Sequence, residues 1–211
     1  MMEKVERIEK ILTFLEEIEQ FKHIYRATYL ADHARHENDA EHTWHMAMFA
    51  LLLHKELEIE VDLAHALKLI LTHDLVEIYA GDTFAYDIEG HSDKQEREEQ
   101  AAQRLFALLP VEQHEQIYNW WHEFEAQQTS EAKFARAVDK LQAVAQNVFS
   151  QGRAWQERGI RPEQPRQYNQ QTIALDPALA QVFELLYERA SREDLWKAGI
   201  ETENVTTNTY S

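Results

Sequence analysis

The chain has 211 residues, 44% hydrophobic and 28% charged, a length that buries one sizeable core and predicts a single domain over residues 1–200 with a polar tail over 201–211. Its 38 acidic and 21 basic side chains give a formal net charge of −17, which repels nucleic-acid phosphates and anionic membrane surfaces and leaves a small anion, held by a metal ion and a local arginine, as the expected partner. Zero cysteines exclude disulfides, thiolate metal sites and cysteine nucleophiles, and no apolar run reaches the ~20 residues that span a bilayer or resembles a signal peptide, so a soluble cytoplasmic protein is expected.

Only 5 glycines and 4 prolines punctuate the chain, and apolar residues recur at spacings of three and four, so the class is all-α. Residues 3–21 predict an amphipathic scaffold helix with Val5, Ile8, Ile11, Leu12, Leu15 and Ile18 on one side. Residues 22–39, of mixed polarity, predict a loop or short broken helix leading to an N-cap at Asn38 or Asp39. The helix from Ala40 to about Lys55 carries Met46, Phe49, Ala50 and Leu53 on one face. His42 falls one turn before Met46 and is directed inward; His45 is a second candidate ligand, against the commoner reading of a half-buried histidine bonded to a carbonyl.

A helix over residues 62–79, ended by Gly81, holds the most informative stretch, Leu71-Thr72-His73-Asp74-Leu75-Val76-Glu77-Ile78-Tyr79-Ala80-Gly81-Asp82. At about 100° per residue, His73, Asp74 and Glu77 share one arc that continues the apolar stripe Leu63, Ala66, Leu67, Ile70 and Leu71. An unpaired carboxylate costs several kcal/mol to bury, so such a cluster calls for a cation.

Residues 84–90 predict an ordered loop, and Ser92 with Gln95 a capping box opening a helix to about Leu109 whose Lys94, Glu96, Glu98 and Glu99 form a solvated face. After Pro110, the helix 111–126 crowds Trp120, Trp121 and Phe124, in excess of one core face, and predicts a homodimer. In the helix 130–149 the stripe Phe134, Val138, Leu141, Ala145 and Val148 is bordered by Asp139, Gln142 and Gln146, and Asp139 either reaches a shared site or makes a surface ion pair. Residues 151–170 predict a polar connection, and Asp176-Pro177 opens a last helix.

Three inward-facing positions thus lie on three helices: His42, then His73-Asp74, then Asp139. Imidazole nitrogens with carboxylate oxygens suit one divalent ion (Mn, Co, Zn, Fe, Ni or Mg) with positions left open for water and substrate. The order His, His-Asp, Asp resembles the HD superfamily of metal-dependent phosphohydrolases. More narrowly, Arg35-His36-Glu37-Asn38-Asp39-Ala40-Glu41-His42 is similar to the R-x-E-N-x-x-E-H segment of the 5'-deoxynucleotidases of that superfamily. His73-Asp74-Leu75-Val76-Glu77 with Gly81-Asp82 matches their H-D-x-x-E and G-D spacing.

The resemblance, over residues 22–146, implies an all-α helical bundle in which His42, His73, Asp74 and Asp139 hold the metal, Glu77 and Asp82 form the acid/base pair and Arg26 contacts phosphate. It implies hydrolysis of the 5'-phosphate of a (deoxy)nucleoside monophosphate or similar phosphomonoester. Ala27 departs from the aromatic that such enzymes place after the arginine, where it favours deoxyribose; Tyr25 and Tyr29 are possible substitutes. The alternatives are a pyrophosphohydrolase of alarmone type, which needs more basic residues near the motifs, a two-metal oxygenase, for which His91, His114 and His122 have the wrong spacing, and a regulatory module that binds nucleotide without catalysis.

Overall fold

A computed structural model describes residues 2–87 and 89–196; the expected polar tail at 201–211 lies outside the described residues. The helical class stands, with one small hairpin added.

Helix α1, Met2–Glu17, buries only Phe14, while Val5, Ile8, Leu12 and Leu15 stay about half exposed along one side. A 3₁₀ turn, Ile18–His23, leads into the hairpin. Here the structure corrects the expected loop or broken helix: β1, Tyr25–Tyr29, pairs antiparallel with β2, His36–Asn38, with Tyr25 opposite Asn38, Tyr29 opposite His36 and an irregular register between them. The run Tyr-Arg-Ala-Thr-Tyr is rich in the aromatic and β-branched residues that favour a pleated, half-buried surface. The hairpin rests on two later helices, Ser130–Phe149 and Arg153–Glu157, and turns Thr28 and Glu37 into the protein.

Helix α2, Asp39–Leu53, starts at an N-cap that is Asn38: Glu41 N donates to Asn38 Oδ1 at 2.9 Å, and Asn38 N donates to Glu41 Oε2 at 3.1 Å. Arg35 pairs with Glu41 and ties the cap to the hairpin.

The helix expected over 62–79 is broken. Helix α3, Leu63–Thr72, capped by Asp62, ends where Thr72 Oγ1 donates to Lys68 O at 2.9 Å and His73 Nδ1 meets Ile70 O at 2.7 Å. These side chains take carbonyls that the next amides would have used. The chain continues through i→i−3 bonds, among them Glu77 N to Asp74 O at 2.9 Å, into the short α4, Glu77–Ala80, which ends at Gly81 with φ +78°. Leu71, expected on the buried stripe and still within α3, is exposed, while His73, Asp74 and Glu77 beyond it are directed inward.

Helix α5 runs Lys94–Phe106. The Ser92–Gln95 capping box is absent, because Ser92 Oγ donates instead to Glu89 O at 2.7 Å and closes the preceding loop. Nor is the acidic face fully solvated: Glu98 is buried against Lys94. Helices α6, Val111–Ala126, and α7, Ser130–Phe149, follow as expected. The predicted connection holds two further helices, α8, Arg153–Glu157, and α9, Glu163–Ile173; α10, Pro177–Arg192, is capped by Asp176 as expected.

Helix α7 is the central element, packed against α2, α3, α6, α9 and α10. Around it lies one apolar cluster that includes Met46, Leu69, Phe124, Phe134, Leu141 and Phe183. A second, with Phe14, Leu75, Phe106 and Trp121, joins α1, α4, α5 and α6. Where α2, the α3–α4 break and α7 meet, polar side chains replace apolar ones.

Candidate metal centre

Of the four expected ligands, His42, His73 and Asp139 form one group, and Asp74 lies beside it, against the two histidines on one side and grouped with Asp39 and Glu77 on the other. His42 Nε2 lies 3.2 Å from Asp139 Oδ1 and 3.8 Å from Asp74 Oδ2, and His73 Nε2 lies 2.9 Å from Asp74 Oδ2. Ligands about 2.1 Å from a common ion stand about 3.0–3.4 Å apart, so these spacings suit a divalent ion. His42, His73 and Asp139 each offer an atom within 4.8 Å of the others. Asp139 takes the inward alternative, with Arg136 Nη1 3.5 Å from its other oxygen.

The hydrogen bonds around the imidazoles decide whether the donor set fits a metal. Glu37, buried on β2, accepts from Thr28 Oγ1 at 2.9 Å and from Gln142 Nε2 at 2.8 Å. A carboxylate only accepts, so the amide of Gln142 must turn its NH2 to Glu37 and its oxygen to His42, whose Nδ1 donates to it at 2.6 Å. The proton is thereby on Nδ1, and Nε2 keeps a lone pair. His73 reaches the same state through Ile70 O. Both Nε2 atoms are buried without a hydrogen-bond partner, since the nearby carboxylates are not aligned with them. Two orphaned lone pairs aimed at two carboxylates fit a divalent cation.

Sequence reasoning gave Glu37 and Gln142 no role in the site and considered Asp39 only as an N-cap, the place that Asn38 takes. Their signal was faint: Asp39 stands three residues before His42, and Gln142 three after Asp139, so each shares a helix face with a ligand. His45, the second candidate, stands outside the group of His42, His73 and Asp139. It lies beside the amide of Gln142, its Nδ1 3.2 Å from Gln142 Nε2, against the edge of Phe49.

Beside the ligands lies a crowd of acids around one guanidinium. Arg26 Nη1 donates to Asp74 Oδ2 at 2.9 Å and to Asp39 Oδ1 at 3.3 Å. Burial works against its charge, but Asp74, Asp82, Asp39 and Glu77 outweigh that and hold it cationic. Burial raises the Asp39 carboxyl to about 6, against the pull of Arg26, and with Asp74, Asp39 and Asp82 it pushes Glu77 well above the usual carboxylate range. Asp82 is raised by burial as well. Burial opposes ionisation of Asp74 and Asp139 too, yet the histidines and arginines beside them hold both below the ordinary value. For His73, burial disfavours the imidazolium, and Asp74 and Asp139 outweigh it and raise the pKa.

These residues open into a cavity of about 300 Å3, lined by Arg26, Ala27, Asp74, Glu77, Asp82 and Asp139 together with Phe84, Tyr86, Trp155 and Tyr168. His91 lines it too, whereas His114 and His122 stack on Tyr118 of α6.

Two outcomes are expected. Replacing Gln142 by Leu removes the acceptor that orients His42 and should lower affinity for Mn²⁺ ten- to a hundred-fold by calorimetric titration, the usual scale for such supporting groups; Glu37→Gln, which frees the amide to flip, should act in the same direction. The second outcome concerns pH. As pH falls, protons compete for the raised His73, and as pH rises, Asp39 and Glu77 ionise and repel each other, so the ion-free protein loses stability. Asp74 and Asp139 stay ionised throughout. The rise in melting temperature on adding Mn²⁺ should therefore be larger at about pH 8 than at about pH 5.

Residues 18–180 match the HD domain family. A solved structure, a predicted metal-dependent phosphohydrolase from Magnetospirillum magnetotacticum MS-1, is similar at a TM-score of 0.82 and 37% identity, over 90% of this chain and 98% of that one. The 5'-deoxynucleotidase HDDC2 of Bos taurus is 31% identical over 137 residues, 64% of this chain and 65% of that protein. Its Danio rerio counterpart is 30% identical over 140 residues, 66% and 68%. The chain spans about two thirds of the length of the curated relatives it matches. A conserved protein of Pyrococcus furiosus, 19% identical at a TM-score of 0.60, shares the fold. Matched over most of its described length, the chain belongs to the HD domain family.

Proposed function

We propose that this protein is a metal-dependent phosphohydrolase that removes the 5'-phosphate from (deoxy)nucleoside monophosphates. The observation that carries the reading is the pair of buried, partnerless Nε2 atoms of His42 and His73 facing Asp74 and Asp139, with Glu77, Asp82 and Arg26 lining the adjoining cavity. The curated relatives named as 5'-deoxynucleotidases support the substrate class.

His42, His73, Asp74 and Asp139 would hold one divalent ion, which supplies charge to the phosphoryl oxygens and a hydroxide from water near neutral pH. Arg26 binds the phosphate. Both of its internal hydrogen bonds run through Nη1, which leaves the rest of the fork for a bidentate contact. Glu77, kept protonated by burial and by Asp74, Asp39 and Asp82, gives its proton to the leaving 5'-oxygen. Asp82, less strongly perturbed and steadied by Arg26, orients the attacking water and takes up its proton. Asp39 holds Arg26 in place.

A pyrophosphohydrolase is less well served, because the other basic side chains in and beside the cavity are engaged: Arg136 with Glu125 and Asp139, Lys94 with Glu98, Lys140 with Thr172, Arg97 with Ala80 O and Gly90 O, and Arg158 over the ring of Phe84. A binding module has no use for a protonated Glu77 beside an open ligand set. Two variants separate the roles: Glu77→Gln and Asp82→Asn should retain Mn²⁺ and substrate and lose about 10²-fold or more in kcat. Arg26→Ala should chiefly raise KM. Normal turnover in both carboxamide variants, with binding abolished in Arg26→Ala, would favour the binding module.

The proposal includes one domain over residues 1–200, supported by α6, which packs on α5 with Trp121 in one apolar cluster and on α3 and α7 with Phe124 in the other, and a cytoplasmic place, supported by the cysteine-free sequence. No helix among the described residues is long and apolar enough to cross a membrane. It also includes a homodimer, on different grounds from those in the sequence. Trp121 is buried in the second cluster and Trp120 packs on the first, so α6 has no surplus aromatic face. Among the described residues, one unmatched apolar stripe is Val5, Ile8, Leu12 and Leu15, all on one helix, α1. Sedimentation at micromolar concentration should give a dimer, and Leu12→Glu with Leu15→Glu a monomer; a monomeric parent would remove the dimer.

A further inference from the structure

The cavity has two chemically different linings. Arg26, Asp74, Glu77, Asp82 and Asp139 account for the phosphate and the hydrolysis. The aromatic rings in the same cavity are used by none of those steps. Phe84 and Tyr86 come from the loop between α4 and α5, and Tyr168 from α9, a helix that sequence reasoning treated as connection.

Tyr86 and Tyr168 have ring centroids 5.5 Å apart, and Phe84 meets Tyr86 edge-on at 5.3 Å. The amine of Lys140 lies 4.5 Å from the Tyr168 centroid and is anchored by Thr172 Oγ1 at 2.9 Å, which holds the ring in position. Tyr168 nonetheless stays 42% exposed, and its ring is tilted 54° to that of Tyr86. The site therefore displays aromatic faces within the cavity that holds the phosphate machinery. Ala27, beside Arg26, adds no ring of its own and leaves room.

We propose that Tyr86 and Tyr168 form a stacking platform for the nucleobase, making the preferred substrates nucleoside monophosphates rather than sugar phosphates. The inference rests on the phosphomonoesterase reading for the placement of the phosphate at Arg26. At about 300 Å3 the cavity lies at the lower end of small-molecule sites, a size for one mononucleotide and not for a longer chain. Every base has a π-face, so a platform of this kind accepts purines and pyrimidines alike, and discrimination between bases should be weak. Its contribution goes into binding: stacking sits remote from the breaking P–O bond and is made equally in ground and transition states, so its loss raises KM and leaves kcat nearly unchanged.

The test uses the Mn²⁺-loaded full-length protein with the four common deoxynucleoside 5'-monophosphates and with 2-deoxyribose 5-phosphate, which lacks a base. Tyr168→Leu should raise KM for all four nucleotides by about ten-fold or more, the lower part of the range for losing one stacked base, with little change in kcat. The same variant should leave kinetics on deoxyribose 5-phosphate unaltered, Tyr168→Phe should behave as the parent, and Tyr86→Leu should follow Tyr168→Leu. Equal kcat/KM of the parent for nucleotides and for deoxyribose 5-phosphate, or an unchanged nucleotide KM in Tyr168→Leu, would overturn the platform and leave the phosphatase reading standing. Equilibrium dialysis of 2'-deoxyadenosine separates the opposite case, because it needs neither phosphate nor turnover. Binding that is lost in Tyr168→Leu, in a protein that hydrolyses none of the phosphomonoesters, would uphold the platform and remove the phosphatase; absence of binding to the parent would remove the platform.

Discussion

Everything at this centre depends on Glu37 being able only to accept hydrogen bonds. That single polarity orients the Gln142 amide, which sets the proton on His42 Nδ1 and leaves Nε2 bare. The chain of contacts joins β2, α7 and α2, elements about 100 residues apart in sequence, and its members are buried. The small hairpin, marginal as a sheet, thereby acquires a purpose. It presents Glu37 and Thr28 to α7 on one side and Arg26 to the acids on the other.

The same geometry explains how so much negative charge is tolerated inside. Asp39, Asp74, Glu77, Asp82 and Asp139 approach one another in a low-dielectric setting, where like charges resist joint ionisation. The structure answers in three ways. Arg26 lies against Asp39 and Asp74, the histidines hold Asp74 and Asp139 ionised, and Glu77 keeps its proton. Asp74 and Asp139, which face histidine, are held ionised, while Glu77, surrounded by Asp39, Asp74 and Asp82, is held toward its protonated form. Environment sets carboxyl groups of the same chemistry apart in this way.

The break after Thr72 is the local device that makes the arrangement possible. A straight helix over 62–79 would place His73 and Glu77 one turn apart along a single axis. By spending the carbonyls of Lys68 and Ile70 on side chains, the backbone tightens and turns both groups toward α2 and α7. The bond that bends the chain is also the bond that fixes the His73 tautomer, so the geometry of the backbone and the chemistry of the ligand are set together.

Much was legible without coordinates. The three- and four-residue spacing of apolar side chains determined the helical class, and Asn38 with Glu41 determined where α2 begins, because both depend on residues close in sequence. The inward direction of His42 and Asp139 followed from the faces of their helices, whereas His73 and Asp74, expected inward on a continuous helix, point inward from the turn between α3 and α4. What only the tertiary structure decided is what those faces meet. The pairing of Tyr25–Tyr29 with His36–Asn38 overrode an ambiguous local pattern, and two helices filled a stretch whose polarity read as connection. The bridge from Glu37 through Gln142 to His42, the seat of Asp39 against Arg26 and the meeting of Tyr86 with Tyr168 are contacts between distant segments. A glutamine, an aspartate or a tyrosine carries no periodic signal of its own, and its role exists only once the partner it can donate to, accept from or stack on has been brought within reach.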